Sequence, residues 1–440
     1  MRGKIIALSA AFFLSLFFIN SAFAIPTFAR KYRTSCTTCH IGFYKNTPFG
    51  EAFRQNGYQI PAGDAAYVKE EPVKLGADAW KKVWPKQVWP STIPSEVPIS
   101  FYAHQRVFFT QDTTPTTNFK FPHEFKMFTA GLLGDNFAFW GEYEFLGSSV
   151  NRLFAQFNDM FLKDSWGSFG FLPEDALNLK IGRLDVAAIA FPINTRRTIN
   201  KPLPYTYNVA DGWDFTDLQS GFEANGVLKS RFKYALGLVN GTGMGTPSGV
   251  QDENNEKDLY YRIAFKKGGL SFDGKEWGQE EELKQSDNWV DNAITIGQFG
   301  YFGTSTVNRG AAAAYLNAFR RLGLDFRVNF SNLDLYGAYV AGTDKSPATT
   351  ITGTARGTIG AVDSSSWFVE ADYVFYPWLH GAARYEEVDY DKGFSSDTSD
   401  FVLSLLIWPR ANIRLTLEAL VFPNNDEGSS QILADLTYAF

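Results

Sequence analysis

The sequence is short of charge and of the residue types that do most metal and redox chemistry. Only 20% of its 440 residues are charged, and it holds two cysteines, four histidines and four methionines. The formal net charge of -6 is mildly acidic, which does not favour nucleic-acid binding, because that binding depends on basic surface. Hydrophobic residues still make up 45% of the chain, at a mean hydropathy of -0.18. Apolar and polar residues must therefore be interleaved, as is typical of β-structure.

Long apolar runs are missing beyond residue 25. The one long run, Ile5–Ile19, follows Arg2 and Lys4 and precedes a small-residue site that ends at Ala24. This order predicts a secretory signal peptide at residues 1–24. No later segment approaches the roughly 18 apolar residues that a transmembrane helix needs. A chain of this kind can span a membrane only as a closed barrel, in which every backbone polar group is paired.

From about residue 99 onward, segments of about ten residues alternate between apolar and polar side chains. In one of them Leu322 and Leu324 alternate with Arg321 and Asp325. A soluble sandwich also alternates, but it would leave too many apolar faces unburied, so the pattern favours an outer-membrane antiparallel β-barrel. An even number of strands is typical of such barrels. Sixteen strands are predicted, beginning near residues 99, 121, 137, 153, 176, 217, 229, 258, 293, 318, 333, 367, 378, 399, 411 and 430.

The predicted connections differ in length at the two ends of the barrel. Outer-membrane barrels have short periplasmic turns and longer external loops. Short turns are predicted near residues 134, 227, 331, 376 and 409, and longer polar loops at 241–257, 343–366 and 389–398. The connection 268–291 is too long for its predicted periplasmic side and indicates either a helix or a miscounted strand. The last segment alternates up to a terminal aromatic, Phe440, and resembles the C-terminal strand of outer-membrane proteins.

The two cysteines stand together with a histidine. The run Cys36-Thr37-Thr38-Cys39-His40 is the attachment motif of c-type haem. The two thiols would form thioethers to the haem, and His40 would be the proximal iron ligand. A redox-active disulfide is the rival interpretation, but a histidine directly after Cys39 favours haem when the whole chain has only four. Directly after the motif, Thr47 and Pro48 predict the start of a helix that ends at Gly57.

The sixth ligand of the haem iron stays open among several residues. Strand parity directs His104 and His380 into the lumen, and Met160 likewise, whereas His123 and Met127 fall on the apolar parity. His104 is the first candidate and His380 the next, although each has the alternative of being an ordinary lumenal side chain. The other methionine considered, Met244, belongs to a Gly-rich loop. No iron site is assigned to the acidic loop at residues 252–258.

The N-terminal region resembles a known family, the fused monohaem cytochrome–porins of iron-oxidising bacteria. The resemblance rests on Ala24–Arg30, on Cys36–His40, on Pro48-Phe49-Gly50 with Phe53, and on Gly57-Tyr58. It implies an N-terminal haem segment joined to an outer-membrane barrel. In that family the haem takes electrons from extracellular Fe(II) and passes them to a periplasmic cytochrome. The sequence departs from the family pattern at Lys31–Arg33 and at Glu51.

The sequence predicts three regions of the chain and one leading function. The regions are a signal peptide at 1–24, a haem segment with a Trp- and Pro-rich connector at 25–98, and the barrel at 99–440. Because the hydrocarbon layer is an insulator about 30 Å thick, a haem that serves both sides should plug the lumen or its periplasmic mouth. The leading hypothesis is an electron conduit between extracellular Fe(II), for which it could act as the oxidase, and a periplasmic c-type cytochrome. A transport porin with a haem-bearing gate and a periplasm-facing haem enzyme are the alternatives.

Overall fold

The structure is a computed structural model, and it describes most of the chain from residue 27 onward. The predicted signal peptide lies outside the described residues, as do most of the connector, including Trp80, Trp84 and Trp89, and the middle of several loops. The described residues are 27–41, 45–61, 63–71, 73–75, 82, 92–95, 97–111, 113–134, 136–163, 170–190, 196–209, 213–241, 252, 254–276, 289–309, 312–352, 355–358, 360–391, 397–423 and 429–440.

Sixteen antiparallel strands form one closed barrel, so the predicted fold class and strand number are confirmed. Each strand pairs with its neighbours in sequence, and the last pairs with the first, with Thr437 opposite His104. The strands are β1 Ile99–Thr110, β2 Thr117–Leu132, β3 Phe137–Glu144, β4 Ser149–Phe157, β5 Asn178–Leu184, β6 Gln219–Leu228, β7 Phe232–Val239, β8 Asp258–Gly268, β9 Ala293–Arg309, β10 Ala312–Phe330, β11 Leu333–Asp344, β12 Val362–Tyr376, β13 Leu379–Tyr390, β14 Thr398–Arg410, β15 Ile413–Val421 and β16 Gln431–Ala439.

The two faces of the strands carry different side chains, as the alternation predicts. Leu324 is 58% exposed on the outside of β10, whereas Arg321 and Asp325 of the same strand are buried in the lumen. Lipid can accept the first kind of side chain but not the second, because a buried charge must be paired. Arg321 accordingly pairs with Asp344 at 2.8 Å, across the β10–β11 register. The described helices are all too short or too polar to cross a bilayer.

The connections at one end are short, as predicted. Turns at 133–136, 229–231, 331–332, 377–378 and 411–412 join strands in pairs at this end, which we take as periplasmic. The same end also has two longer connections, at 158–177 and 269–292. Sixteen strands close the barrel, so the second of these does not conceal a miscounted strand. Whether it holds a helix concerns residues 277–288, which lie outside the described residues.

The N-terminal region folds as four short helices, α1 Thr27–Tyr32, α2 Cys36–Cys39, α3 Pro48–Gln55 and α4 Asp64–Tyr67. The start of α3 is as predicted, because the Thr47 hydroxyl accepts a hydrogen bond from the Gly50 N–H at 3.0 Å and Pro48 occupies the first turn. After α3 the chain turns at Gly57 with a positive φ of 64°. We call the described residues of 27–71 the plug.

The plug lies inside the barrel and is tied to the wall by polar contacts. Lys45 Nζ lies 2.6 Å from carboxylate oxygens of both Asp334 on β11 and Asp372 on β12. The Glu51 carboxylate accepts a hydrogen bond from Arg327 of β10 at 2.8 Å. Two further contacts are the hydrogen bond from Gln55 to Asn225 of β6 at 3.1 Å and the stacking of Tyr58 on Trp140 of β3 at 5.3 Å.

A second element enters the lumen between β5 and β6. The described residues of 185–218, here called the inner loop, include the short helix α5 Leu203–Thr206. The backbone N–H of Ile199 donates to Glu418 of β15, and that of Leu203 donates to Glu386 of β13, both at 2.6 Å. These carboxylates lie on the opposite wall from the strands that carry the loop, so the inner loop crosses the lumen.

Candidate functional site

The attachment motif occupies a single turn of helix. Ser35 caps α2 by accepting a hydrogen bond from the Thr37 N–H, and the His40 N–H donates to the Cys36 carbonyl at 3.0 Å. Residues three apart on a helix share one face. Cys36 and Cys39 therefore present their thiols on the same side, and His40 follows at the end of the turn.

The helix α3 packs directly against this turn. The Thr47 N–H donates to the Cys39 carbonyl at 2.9 Å, and the Thr47 hydroxyl donates to the Thr38 carbonyl at 2.9 Å. A Cβ added at Gly50 would lie 2.0 Å from the Cys39 carbonyl oxygen. Only a glycine permits this backbone approach. The motif is thus held by backbone contacts that do not depend on its own side chains.

Both cysteines and His40 line a cavity of about 840 Å³ inside the lumen. This volume is within the range of small-molecule and cofactor sites, about 300–1,000 Å³. On the plug side the lining includes five aromatic side chains, and on the far side it comes from β1 to β4, from the inner loop and from β15 and β16. The aromatic side chains of the plug that line it are Phe28, Tyr32, Phe49, Phe53 and Tyr58. The donors and the room therefore fit a covalently attached haem.

The thiols do not have the character of a redox-active pair. Burial raises the pKa of Cys36, and burial together with Cys36 raises the pKa of Cys39 to about 12. Reactive Cys-x-x-Cys pairs depend instead on a lowered thiol pKa. No disulfide joins the two cysteines. This environment disfavours disulfide exchange.

The structure separates the candidates for the sixth ligand. His104 is buried and lines the cavity, on the inward face that its parity predicts. His380 is also inward, but its ring packs on Trp408 at 4.4 Å and is not part of the cavity lining. Met127 and Met160 are not part of it either, and Met244 lies outside the described residues.

His123 lies inside the barrel, and the parity argument for it is wrong. It lines the same cavity as His104. The cause is a bulge in β2: His104 pairs with Glu124 and Arg106 with Lys120, so three residues of β2 lie opposite one residue of β1. A bulge interrupts the alternation and re-aims side chains. His123 and Glu124 consequently both line the lumen, although they are consecutive.

Sequence reasoning also missed the charged residues around His104. Its Nε2 lies 2.6 Å from Asp435 Oδ2, and Asp435 binds Arg106 at 2.7 Å. Parity alone places Asp435 in the lumen, on the polar face of the last strand. The signal that joins residue 435 to residue 104 is barrel closure, which sets the register of β16 against β1.

Similarity to known proteins extends to the barrel. No protein-family model matches the chain, and no curated protein sequence matches it either. Among solved structures, the anion-selective porin of Comamonas acidovorans is 11% identical, with a TM-score of 0.52, and the match covers 78% of this chain and 98% of that one. OmpF of Salmonella typhi, in complex with daunomycin, is also 11% identical, with a TM-score of 0.50, covering 78% of this chain and 97% of that one.

The barrel has the porin fold. At 11% identity the likeness concerns fold alone. A porin-type barrel with an apolar outer face fits a location in the outer membrane. The plug and the cavity at its surface are the features from which a more specific function must be argued.

Proposed function

We propose that this protein is an outer-membrane electron conduit that carries one covalently attached haem c. Cys36 and Cys39 hold the haem, and His40 is its proximal iron ligand. The conduit relays electrons between extracellular Fe(II) and a periplasmic c-type cytochrome. The observation that supports it best is that the Cys36–His40 turn borders a cavity of about 840 Å³ in the lumen of a membrane-spanning barrel.

The residues around the cavity suit this task. When bound, haem c supplies a couple that changes by one electron. The aromatic side chains of Phe28, Phe49 and Phe53 would cover the ring and keep water from it. The plug contacts to β10–β12 hold the attachment turn at a fixed place within an insulating layer.

His104 is the sequence-based candidate for the sixth ligand that borders this cavity. Its Nε2 is engaged by Asp435 at 2.6 Å, and its Nδ1 lies 3.8 Å from Glu124 Oε2. To bind the haem iron through Nε2, the ring would have to give up Asp435, whereas Nδ1 has no hydrogen-bond partner among the described residues. His380, the second candidate, would have to leave its packing against Trp408. The optical spectra of His104→Ala and His380→Ala test both.

The test of the function is reduction of the haem by Fe(II) added outside intact cells. The expected result is the spectrum of reduced c-type haem, which His40→Ala and Cys36→Ser/Cys39→Ser abolish while the barrel still inserts. An extracellular oxidant should reoxidise the haem through the same route. No reduction from outside would defeat the assignment of Fe(II) as donor, and no covalent haem would defeat the conduit.

The porin fold favours a second candidate, a transport porin whose haem segment acts as a gate. Swelling of liposomes that contain the intact protein separates the two functions. Sugar-sized solutes should not pass if the plug and the inner loop close the lumen. A fast flux would support the porin. A high-spin haem that binds added ligands would instead favour a periplasm-facing haem enzyme.

A further inference from the structure

Three side chains on the cavity wall form a cluster with the donors of a metal site. His104 on β1 and His123 and Glu124 on β2 each offer a ligand atom, and these atoms all lie within 4.8 Å of one another. The two imidazole rings are perpendicular, with centroids 4.8 Å apart. Two donors about 2.1 Å from one metal ion are roughly 3 to 3.5 Å apart, so a small inward movement of the side chains would close the site.

Two ring atoms of the cluster are buried and unsatisfied. The buried Nδ1 atoms of His104 and His123 have no hydrogen-bond partner within the described structure. His104 Nδ1 lies 3.8 Å from Glu124 Oε2, too far for a hydrogen bond and close to the spacing of two ligands on one ion. A buried polar atom without a partner costs free energy. A cation bound by the cluster would give His104 Nδ1 and Glu124 a common partner.

The ring of His104 is already oriented for this role. Its Nε2 is 2.6 Å from Asp435 Oδ2, and Arg106 holds the same carboxylate through two hydrogen bonds, at 2.7 and 2.8 Å. A carboxylate on one ring nitrogen fixes the tautomer that leaves the other nitrogen as a metal ligand. Asp435 therefore supplies the supporting contact that metal-binding histidines usually have.

The Glu124 carboxylate can exchange its present partner, the Lys126 ammonium, for a metal ion. Lys126 Nζ lies 3.2 Å from Glu124 Oε2 and 3.3 Å from Glu142 Oε1. When a cation binds Glu124, the ammonium retains Glu142 as its partner. The bulge in β2 completes the arrangement, because without it His123 would face lipid.

We propose that His104, His123 and Glu124 bind one divalent first-row transition metal ion in the lumen. Two imidazoles and one carboxylate with open positions are the ligand set of non-haem Fe(II) sites. Resting on the function proposed above, the ion is Fe(II), held on the wall of the cavity that the haem motif lines. There it would become Fe(III) by losing one electron, and a haem held by Cys36, Cys39 and His40 would supply the one-electron acceptor, so that no proton need move. On this assignment His104 is not the sixth haem ligand.

Binding is tested with Zn(II), which has no redox chemistry, by calorimetry on the full-length haem-loaded protein in detergent without an affinity tag. One ion per chain should bind. His123→Ala and Glu124→Gln should weaken binding at least 100-fold, and Asp435→Asn about 10- to 100-fold, the usual effect of removing a supporting contact. The matched control is Glu174→Gln, which alters an exposed carboxylate outside the cavity lining and should bind as the wild type does. Loss of binding in His123→Ala and Glu124→Gln but not in this control identifies the site.

The outcomes separate this proposal from the function on which it rests. Zn(II) binding that is absent, or unchanged in His123→Ala and Glu124→Gln, overturns the site even if Fe(II) reduces the haem. A high-spin spectrum in His104→Ala shows that this ring is a haem ligand and also overturns it. If the site stands, His123→Ala should need at least tenfold more Fe(II) for half-maximal haem reduction, with unchanged reduction by dithionite. Binding without any reduction by Fe(II) would defeat Fe(II) as the cargo of this site and as the donor in the proposed function.

Discussion

Replacement of Lys45 by alanine is the sharpest test of how the plug is held. The Lys45 side chain is 1% exposed, and its ammonium lies 2.6 Å from both Asp334 and Asp372 and 4.0 Å from the centre of the Tyr336 ring. Removing one partner from a buried ion pair costs about 3–5 kcal/mol, because the other partner is left buried without compensation. At 1.36 kcal/mol for each tenfold change, the population of chains with an unseated plug should rise by roughly two to four powers of ten.

Limited proteolysis measures this population, because cleavage of a transiently opened segment follows its equilibrium when reclosing is fast. We expect cleavage within residues 27–71 to accelerate by roughly that factor in Lys45→Ala. The control is Lys257→Ala, since Lys257 is 43% exposed where it pairs with Asp252, and exposed pairs contribute about 0–1 kcal/mol. A cleavage rate in Lys45→Ala no faster than in this control would refute the argument that buried charge holds the plug.

Two further predictions concern the packing of the plug and the protonation of the inner loop. Gly50→Ala puts a Cβ 2.0 Å from the Cys39 carbonyl oxygen, so it should lower the free energy of unfolding by about 1–3 kcal/mol and reduce the covalent haem content. The control is Gly360→Ala, because a Cβ added there has no atom within 4 Å. Equal melting temperatures and haem contents in the two variants would contradict the prediction. Burial and the neighbouring Asp214 raise the pKa of Asp217 to about 7. In the folded protein the Asp217 carboxyl therefore keeps a proton that the same group releases near pH 4 in the unfolded chain. The contribution of this proton to the free energy of unfolding is complete below pH 4 and is lost as the pH rises through 7. Hydrogen–deuterium exchange of the inner loop, corrected for its intrinsic pH dependence, should show loosening over this range in the wild type but not in Asp217→Asn.

The fold was predictable because one physical rule governs every strand. A lipid-facing position requires an apolar side chain. Leu322 and Leu324 are therefore predicted to face outward, and Arg321 and Asp325 to face the lumen, as they do. Short-range spacing is enough to find such segments. The same is true of α3, whose start depends on Thr47 and Pro48 alone.

The surroundings of the site were not predictable by these means. The prediction that His123 lies on the apolar face assumed strict alternation of side chains along β2. The bulge interrupts this alternation, and it depends on the pairing of β1 with β2. The contact of His104 with Asp435 joins residues that are 331 positions apart. The anchor of the inner loop on Glu418 spans 219 positions. Such contacts follow from the closure of the barrel, which no local pattern encodes.

The plug and the inner loop are not independent, because one carboxylate joins them. Asp372 lies 2.6 Å from Lys45 of the plug and 3.3 Å from Arg197 of the inner loop, and its side chain is fully buried. A buried carboxylate between two cations is stable only while both are in place. Without the Lys45 ammonium, Asp372 would pair with Arg197 alone. The position of the inner loop should therefore change as well. The lumen thus holds a coupled pair of elements, and the cavity that the haem motif lines lies between them and the wall formed by β1 to β4. A porin gate would have to separate these elements against that shared charge, whereas an electron relay needs both to stay where they are.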